Sequence, residues 1–116
     1  MLFGFSEKIW FYRQIVDFRK QIDGLVLIAA DQLEKDPTSG QLFVFRNRSG
    51  NKVKLLWWDR NGFILIYKRL EKGKFRFPNH GEDVWQLSKD QLSWLLSGLD
   101  ITKQKQFPKV TATKFF

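Results

Sequence analysis

The chain contains no cysteine, a single histidine (His80) and only three prolines. Without cysteine, disulfides and thiolate metal sites are excluded, and a reducing, cytoplasmic setting is the expectation. One imidazole supplies Cys/His or Ser/His/Asp nucleophilic chemistry poorly. Neither common glycine-rich phosphate cradle occurs. The longest apolar run is Leu25 to Ala30, whereas a membrane-spanning helix needs about 20 such residues. The first residues lack a basic stretch followed by an apolar block, so no signal peptide is expected. His80 stands near Glu82 and Asp83, but one loop offers fewer ligands than a hydrolytic metal site needs, and neither metal nor cofactor is expected. Asp17, Asp23, Asp59 and Glu71 show no catalytic arrangement. Helix capping, turns and ion pairs account for them, and the chain reads as a non-enzyme.

What is present is aromatic and basic. Twelve Phe, five Trp and two Tyr sit in a chain that is 43% hydrophobic, too apolar to be disordered throughout. The 116 residues suit one domain. The net charge of +8 is unevenly spread. Residues 1–45 are net −1, residues 46–76 net +8, residues 77–101 net −3 and residues 102–116 net +4. Such a concentration is an electrostatic footprint for nucleic acid or another polyanion. A solvated basic hairpin, kept from its neighbours by charge, is the competing reading.

Periodicity places the elements. Residues 8–14 are strand-like. Ile22, Leu25, Ile28, Ala29 and Leu33 recur at helical spacing, which predicts a helix over about 23–34 with Asp23 as N-cap. Three apolar runs, 42–46, 53–58 and 63–69, are separated by "NRSGNK" and "DRNG" and predict consecutive antiparallel strands. Asp59 and Arg60 ahead of Asn61-Gly62 suggest a loop longer than two residues. "FRFP" (75–78) reads as a further short strand and "WQL" (85–87) as another. Ser88 and Gln91 have capping-box spacing before a helix over about 89–97, with Gly98 as its C-cap. The expected fold is α+β. A single domain over residues 1–101 holds an antiparallel meander of three to five strands packed with two short helices, and residues 102–116 form a basic tail.

Neither side of the central hairpin is cleanly polar, so the sheet must be covered on both faces. Mid-strand Leu55, Leu56, Leu65 and Ile66 are expected core. The cations gather where Lys52 and Lys54 begin one strand and Lys68 and Arg69 finish the next. The candidate phosphate contacts are Arg46, Arg48, Lys52, Lys54, Arg60, Lys68, Arg69, Lys72, Lys74 and Arg76, extended by Arg19 and Lys20. Core packing is the default for each aromatic ring, and Trp58 is the candidate for base stacking.

Four stretches carry a family resemblance: "DFRKQIDGL" (17–25), "DPTSGQLFVF" (36–45), "KLLWWDRNGFILIYKRLEKGKF" (54–75) and "LSWLLSGLD" (92–100). They resemble the small TnpB-type accessory proteins of the bacterial insertion-sequence-sixty-six transposon family, from about residue 8 to residue 101. The Lys68-Arg69-Leu70-Glu71-x-Gly73-x-Phe75 block and Asp17, Arg19, Lys20 ahead of Asp23-Gly24-Leu25 are the specific parts. The resemblance implies a helper encoded beside a large transposase, which would carry the strand-transfer chemistry, and it supplies no catalytic residues. The expected function is therefore a non-catalytic, DNA-binding accessory factor in the nucleoid-associated cytoplasm. Its expected partners are transposon-end DNA, the transposase and other element-encoded proteins. The alternative is a subunit that docks on the transposase without touching DNA.

Overall fold

The alternating apolar residues of five segments pair into one sheet, and each face of it is closed by a different part of the chain. The computed structural model describes residues 8–103. The elements are β1 (Ile9–Ile15), α1 (Ile22–Asp31), β2 (Leu42–Arg46), β3 (Lys52–Asp59), β4 (Gly62–Arg69), β5 (Val84–Leu87) and α2 (Lys89–Leu96). The strand order is β4-β3-β2-β1-β5.

The three central runs form the antiparallel β2-β3-β4 meander expected of them. The sheet as a whole is mixed, because β1 lies parallel to β2. The connection between them contains α1, and a helical crossover returns the chain to the same end of the sheet before the next strand starts. β5 then adds antiparallel to the other side of β1. The expected α+β class stands, with β1 inside the sheet as its second-to-last strand. "FRFP" is not a strand. Its rings pack instead: Phe75 is buried, Phe77 stacks on Phe11 with centroids 5.7 Å apart, and the two Phe rings lie 5.4 Å from each other.

Strand alternation sorts the core into two layers. On one face Leu25, Ala29 and Leu33 from the α1 region meet Phe43, Phe45 and Leu56. On the other, Leu92 and Leu95 of α2, with Phe75 and Ile101, meet Ile9, Phe11, Leu42, Val44, Val53, Leu55 and Trp57. Leu55 and Leu56 are core as expected. Leu65 and Ile66 are half-buried, because among the described residues β4 is an edge strand with a neighbour on one side only.

Local chemistry fixes the ends. Gln21, not Asp23, is the N-cap residue of α1, and Asp23 lies in the first turn, where its negative charge suits the helix dipole. The capping box of Ser88 and Gln91 is formed. At the other end of α2, Gly98 has φ +85°, its N–H bonds the Leu95 carbonyl at 3.0 Å and the Leu99 N–H bonds the Trp94 carbonyl at 2.9 Å. This paired closure needs a left-handed residue, which glycine supplies cheaply. The β3–β4 loop is shorter than expected. Asp59 pairs with Gly62, leaving Arg60 and Asn61 as the loop. Arg60 takes the positive φ, +57°. No helix among the described residues is long and apolar enough to cross a membrane.

Candidate nucleic-acid interface

Because β1 and β2 run in parallel, their carboxyl ends finish side by side. The Val16 N–H bonds the Arg46 carbonyl at 3.0 Å and holds the two ends together. From there the chain after β1 turns towards α1, while the chain after β2 turns back into β3. Crevices outside the carboxyl ends of strands are the usual ligand sites of open α/β sheets. Here the divergence leaves an open cleft of about 590 Å³, walled by residues 15–19 and 47–49 and by Lys52.

Asn47 builds the cationic wall. It is buried, and its Oδ1 accepts from the N–H groups of Gly50 and Lys52 at 3.0 and 3.1 Å. Its Nδ2 donates to Asn51 Oδ1 at 2.9 Å. Gly50 has φ +77°, which glycine adopts at no steric cost. Arg48 and Lys52 therefore extend from a turn braced by the Asn47 side chain. Among the described residues neither has an acidic partner.

Arg19 faces them across the cleft and is differently placed. Its guanidinium holds Asp17 through Nε at 2.9 and 3.1 Å. That hydrogen bonding keeps the Asp17 carboxyl down at about 2. Arg69 stands opposite Lys52 in the β3–β4 register and is likewise bonded to Glu71, at 2.9 and 3.0 Å. Two of the cations thus carry their own counter-charges, which dilutes the local field.

A smaller hollow of about 180 Å³ shares Phe18 and Lys52 with this cleft and adds Lys54, Leu65 and Tyr67. Lys54 is only 4% exposed. Its ammonium donates to the carbonyls of Phe18 and Lys20 at 3.0 and 2.8 Å and lies 4.9 Å from the Phe18 ring centroid. Burial, and then the charge of Lys52, lowers its pKa. Lys54 is therefore a strut beneath the surface, not a group presented to solvent. Tyr67, by contrast, is 50% exposed, and its ring meets Phe18 edge-on at 6.4 Å.

The remaining cations do not join this cleft. Lys68 and Arg69, expected on one edge, point to opposite faces because neighbours in a strand alternate. Lys68 reaches the α2 side and donates to the Leu96 carbonyl at 2.7 Å, supplying the basic group that the last turn of α2 lacks. Arg46 is on that side too, 5.4 Å above the Phe77 ring. Burial and the charge of Arg13 lower its pKa, and its Nε has no hydrogen-bond partner among the described residues. Arg76 lines a separate cleft with His80 and Asp100. Lys72 and Lys74 are exposed around the turn after β4, and Lys20 is exposed beside Asp17. Arg60 sits at the hairpin tip, about 27 Å along the strand from Lys52. Trp58 is near that tip, packed edge-on against Phe63 at 5.0 Å, while Trp57 is core.

Sequence reading missed Tyr67, Phe18 and Asn47 as parts of the site. Asn47 ahead of Gly50 was a usable turn signal; nothing local marks Phe18 and Tyr67 as neighbours. Among the described residues no group of three or more His, Cys, Asp or Glu is placed to hold a metal ion. Asp83 is instead bonded to Arg13 and Gln14, both at 2.8 Å.

Residues 7–106 match the family described as IS66 Orf2 like protein. Two proteins of Sinorhizobium fredii (strain NBRC 101917 / NGR234) are similar in sequence. The first, y4jC, is 40% identical over 101 residues, which cover 87% of this chain and 86% of its own length. The second, y4hO, is 38% identical over 97 residues and 84% of each chain. No solved structure matches. With the family match running from before β1 to beyond α2, the chain belongs to the IS66 Orf2-like family and is a transposition-associated accessory protein.

Proposed function

We propose that the chain serves transposition by binding DNA without cutting it, through the cleft at the carboxyl ends of β1 and β2. The observation that supports this most is the convergence of Arg19, Arg48 and Lys52 on one open cleft, with the exposed Tyr67 ring beside it. Cations contact phosphates, and an exposed ring is a stacking surface for an unpaired base. Transposon ends are the DNA that an accessory factor of this kind meets, in the company of the transposase and other element-encoded proteins. Lys54 acts beneath the cleft, holding the 18–20 backbone in place. The cations on the α2 side, Arg46 and Lys68, are not used.

The test is a titration of labelled transposon-end DNA, duplex and single-stranded, between 50 and 200 mM salt. With Arg19, Arg48, Lys52 and Arg69 each at a phosphate, the duplex affinity should fall about a hundredfold over that range. Changing Arg48 and Lys52 together to Ala should roughly halve the salt slope, about one contact for each cation lost. A double variant with unchanged affinity and slope would reject the cleft. In the same samples, magnesium or manganese should leave the DNA intact. Cleavage that disappears on Asp17→Ala would overturn the non-catalytic reading.

One observation favours docking on the transposase as the second reading. Under α2 an apolar groove of about 410 Å³ is lined by Leu42, Leu55, Trp57, Ile66, Leu92 and Leu96. Absence of DNA binding at every salt concentration would give that reading the lead.

A further inference from the structure

β4 ends the sheet on one side. Among the described residues it pairs only with β3, through eight unbroken residue pairs from Lys52–Arg69 to Asp59–Gly62. The opposite edge strand, β5, has four residues. Long free edges are normally blunted by proline, a bulge or a central charge. β4 has none of these: its sequence is Gly-Phe-Ile-Leu-Ile-Tyr-Lys-Arg, with both cations at one end. Phe63, Ile64, Leu65 and Ile66 are half-buried on the two faces, and Tyr67 is more exposed.

The direction of its free backbone groups follows from one bond. The Leu70 N–H donates to the Asn51 carbonyl at 2.8 Å. Hydrogen-bonded positions alternate along an antiparallel pair, so Lys68, Ile66 and Ile64 bond β3. The N–H and C=O groups of Phe63, Leu65 and Tyr67 point outward.

We infer that β4 is the association edge for a second copy of this chain, which pairs with it antiparallel about a twofold axis at Leu65 and continues the sheet. An axis normal to the sheet keeps each face on its own side, so residues of equal parity meet. Centred on Leu65, Phe63 faces the second copy's Tyr67 on the α1 side, and Ile64 faces its Ile66 on the α2 side. Gly62 faces its Lys68. No like charges are opposed. The adjacent register, centred on Ile66, would set Phe63 against Arg69 and Ile64 against Lys68. Self-complementarity at one register is what favours a copy of this chain over an unrelated strand. About six main-chain hydrogen bonds would form between Phe63, Leu65, Tyr67 and their counterparts.

Solution mass and crosslinking test this on the full chain. The expected particle is twice the 13.8 kDa chain mass. Leu65→Pro should give a monomer with an unchanged circular-dichroism spectrum, because the N–H it removes points away from β3. Should proline disturb the strand, Leu65→Lys, which opposes two ammonium groups on the axis, should also give a monomer. The absence of native cysteine makes a third variant specific. Leu65→Cys places two thiols across the axis, where Cα atoms about 5.5 Å apart permit a disulfide. In a sample of about 10 μM it should crosslink about a hundredfold faster than Ser93→Cys on exposed α2, as pairing raises the effective thiol concentration to about 1 mM. A wild-type chain still monomeric at about 100 μM, which puts any self-association Kd well above that concentration, would overturn the inference. So would a dimer that survives both Leu65→Pro and Leu65→Lys, or equal crosslinking by the two cysteine variants.

Discussion

Replacing Phe11 by alanine should destabilise the protein by about 3 to 5 kcal/mol, the range for deleting a buried aromatic ring. Phe11 is fully buried. It sits in β1 with Val44 of β2 on one side and Trp85 of β5 on the other, and its ring stacks on Phe77. The loss reflects both the apolar area returned to water and the cavity left between rigid strands, neither of which a neighbour can easily fill. Whole domains are stable by only about 5 to 15 kcal/mol. The melting temperature should therefore fall by more than about 12 °C. Urea and thermal unfolding measure both quantities. A loss under about 1 kcal/mol would mean that β1 is not held between two strands at all.

Lys54→Ala is expected to cost about 3 kcal/mol, and Lys54→Met about 1. The alanine variant loses both bonds to the Phe18 and Lys20 carbonyls and also the aliphatic stem that packs near the Phe18 and Tyr67 rings. Methionine keeps the stem and removes the burial penalty on the charge. The pH dependence has a definite sign. An unfolded lysine titrates near 10.5, and burial lowers Lys54 in the fold. Between the lowered value and 10.5 the unfolded chain still holds a proton that the folded chain has released. On account of Lys54, stability therefore rises with pH across that window. Lys54→Met should abolish this rise relative to the wild type, as urea midpoints at pH 7 and about pH 10 will show. Equal losses for the two variants would dismiss the ammonium as a strut.

The meander was legible because its signals are local: apolar runs of strand length with Asn and Gly between them, and a Ser88–Gln91 pair before an apolar helix. β1 was legible as a strand but not in its direction, which depends on how a 26-residue connection crosses the sheet. The aromatic "FRFP" looked like another strand because β propensity rewards rings on any half-buried surface, and here the surface is the α2-side core. The basic segment was readable as charge, and its division between two faces followed from alternation alone. The burial of Lys54 was not readable. The backbone that covers it lies 34 and 36 residues away, and nothing in residues 52–56 announces that contact. Leu65 and Ile66 looked identical to Leu55 and Leu56, since hydropathy does not reveal which strand ends a sheet.

The placement of β1 between β2 and β5 has a consequence for synthesis. β2, β3 and β4 follow one another closely and can zip as soon as they emerge, because short loops close at little entropic cost. β1 is made first yet is completed last, for its second neighbour begins at Val84, 69 residues after Ile15. At 5 to 20 residues per second, the ribosome needs about 3 to 14 s to supply it. During that interval the nascent chain carries Ile9 and Phe11 beside an unfilled strand position. This window exposes it to misassembly, although the finished domain buries the same two residues completely.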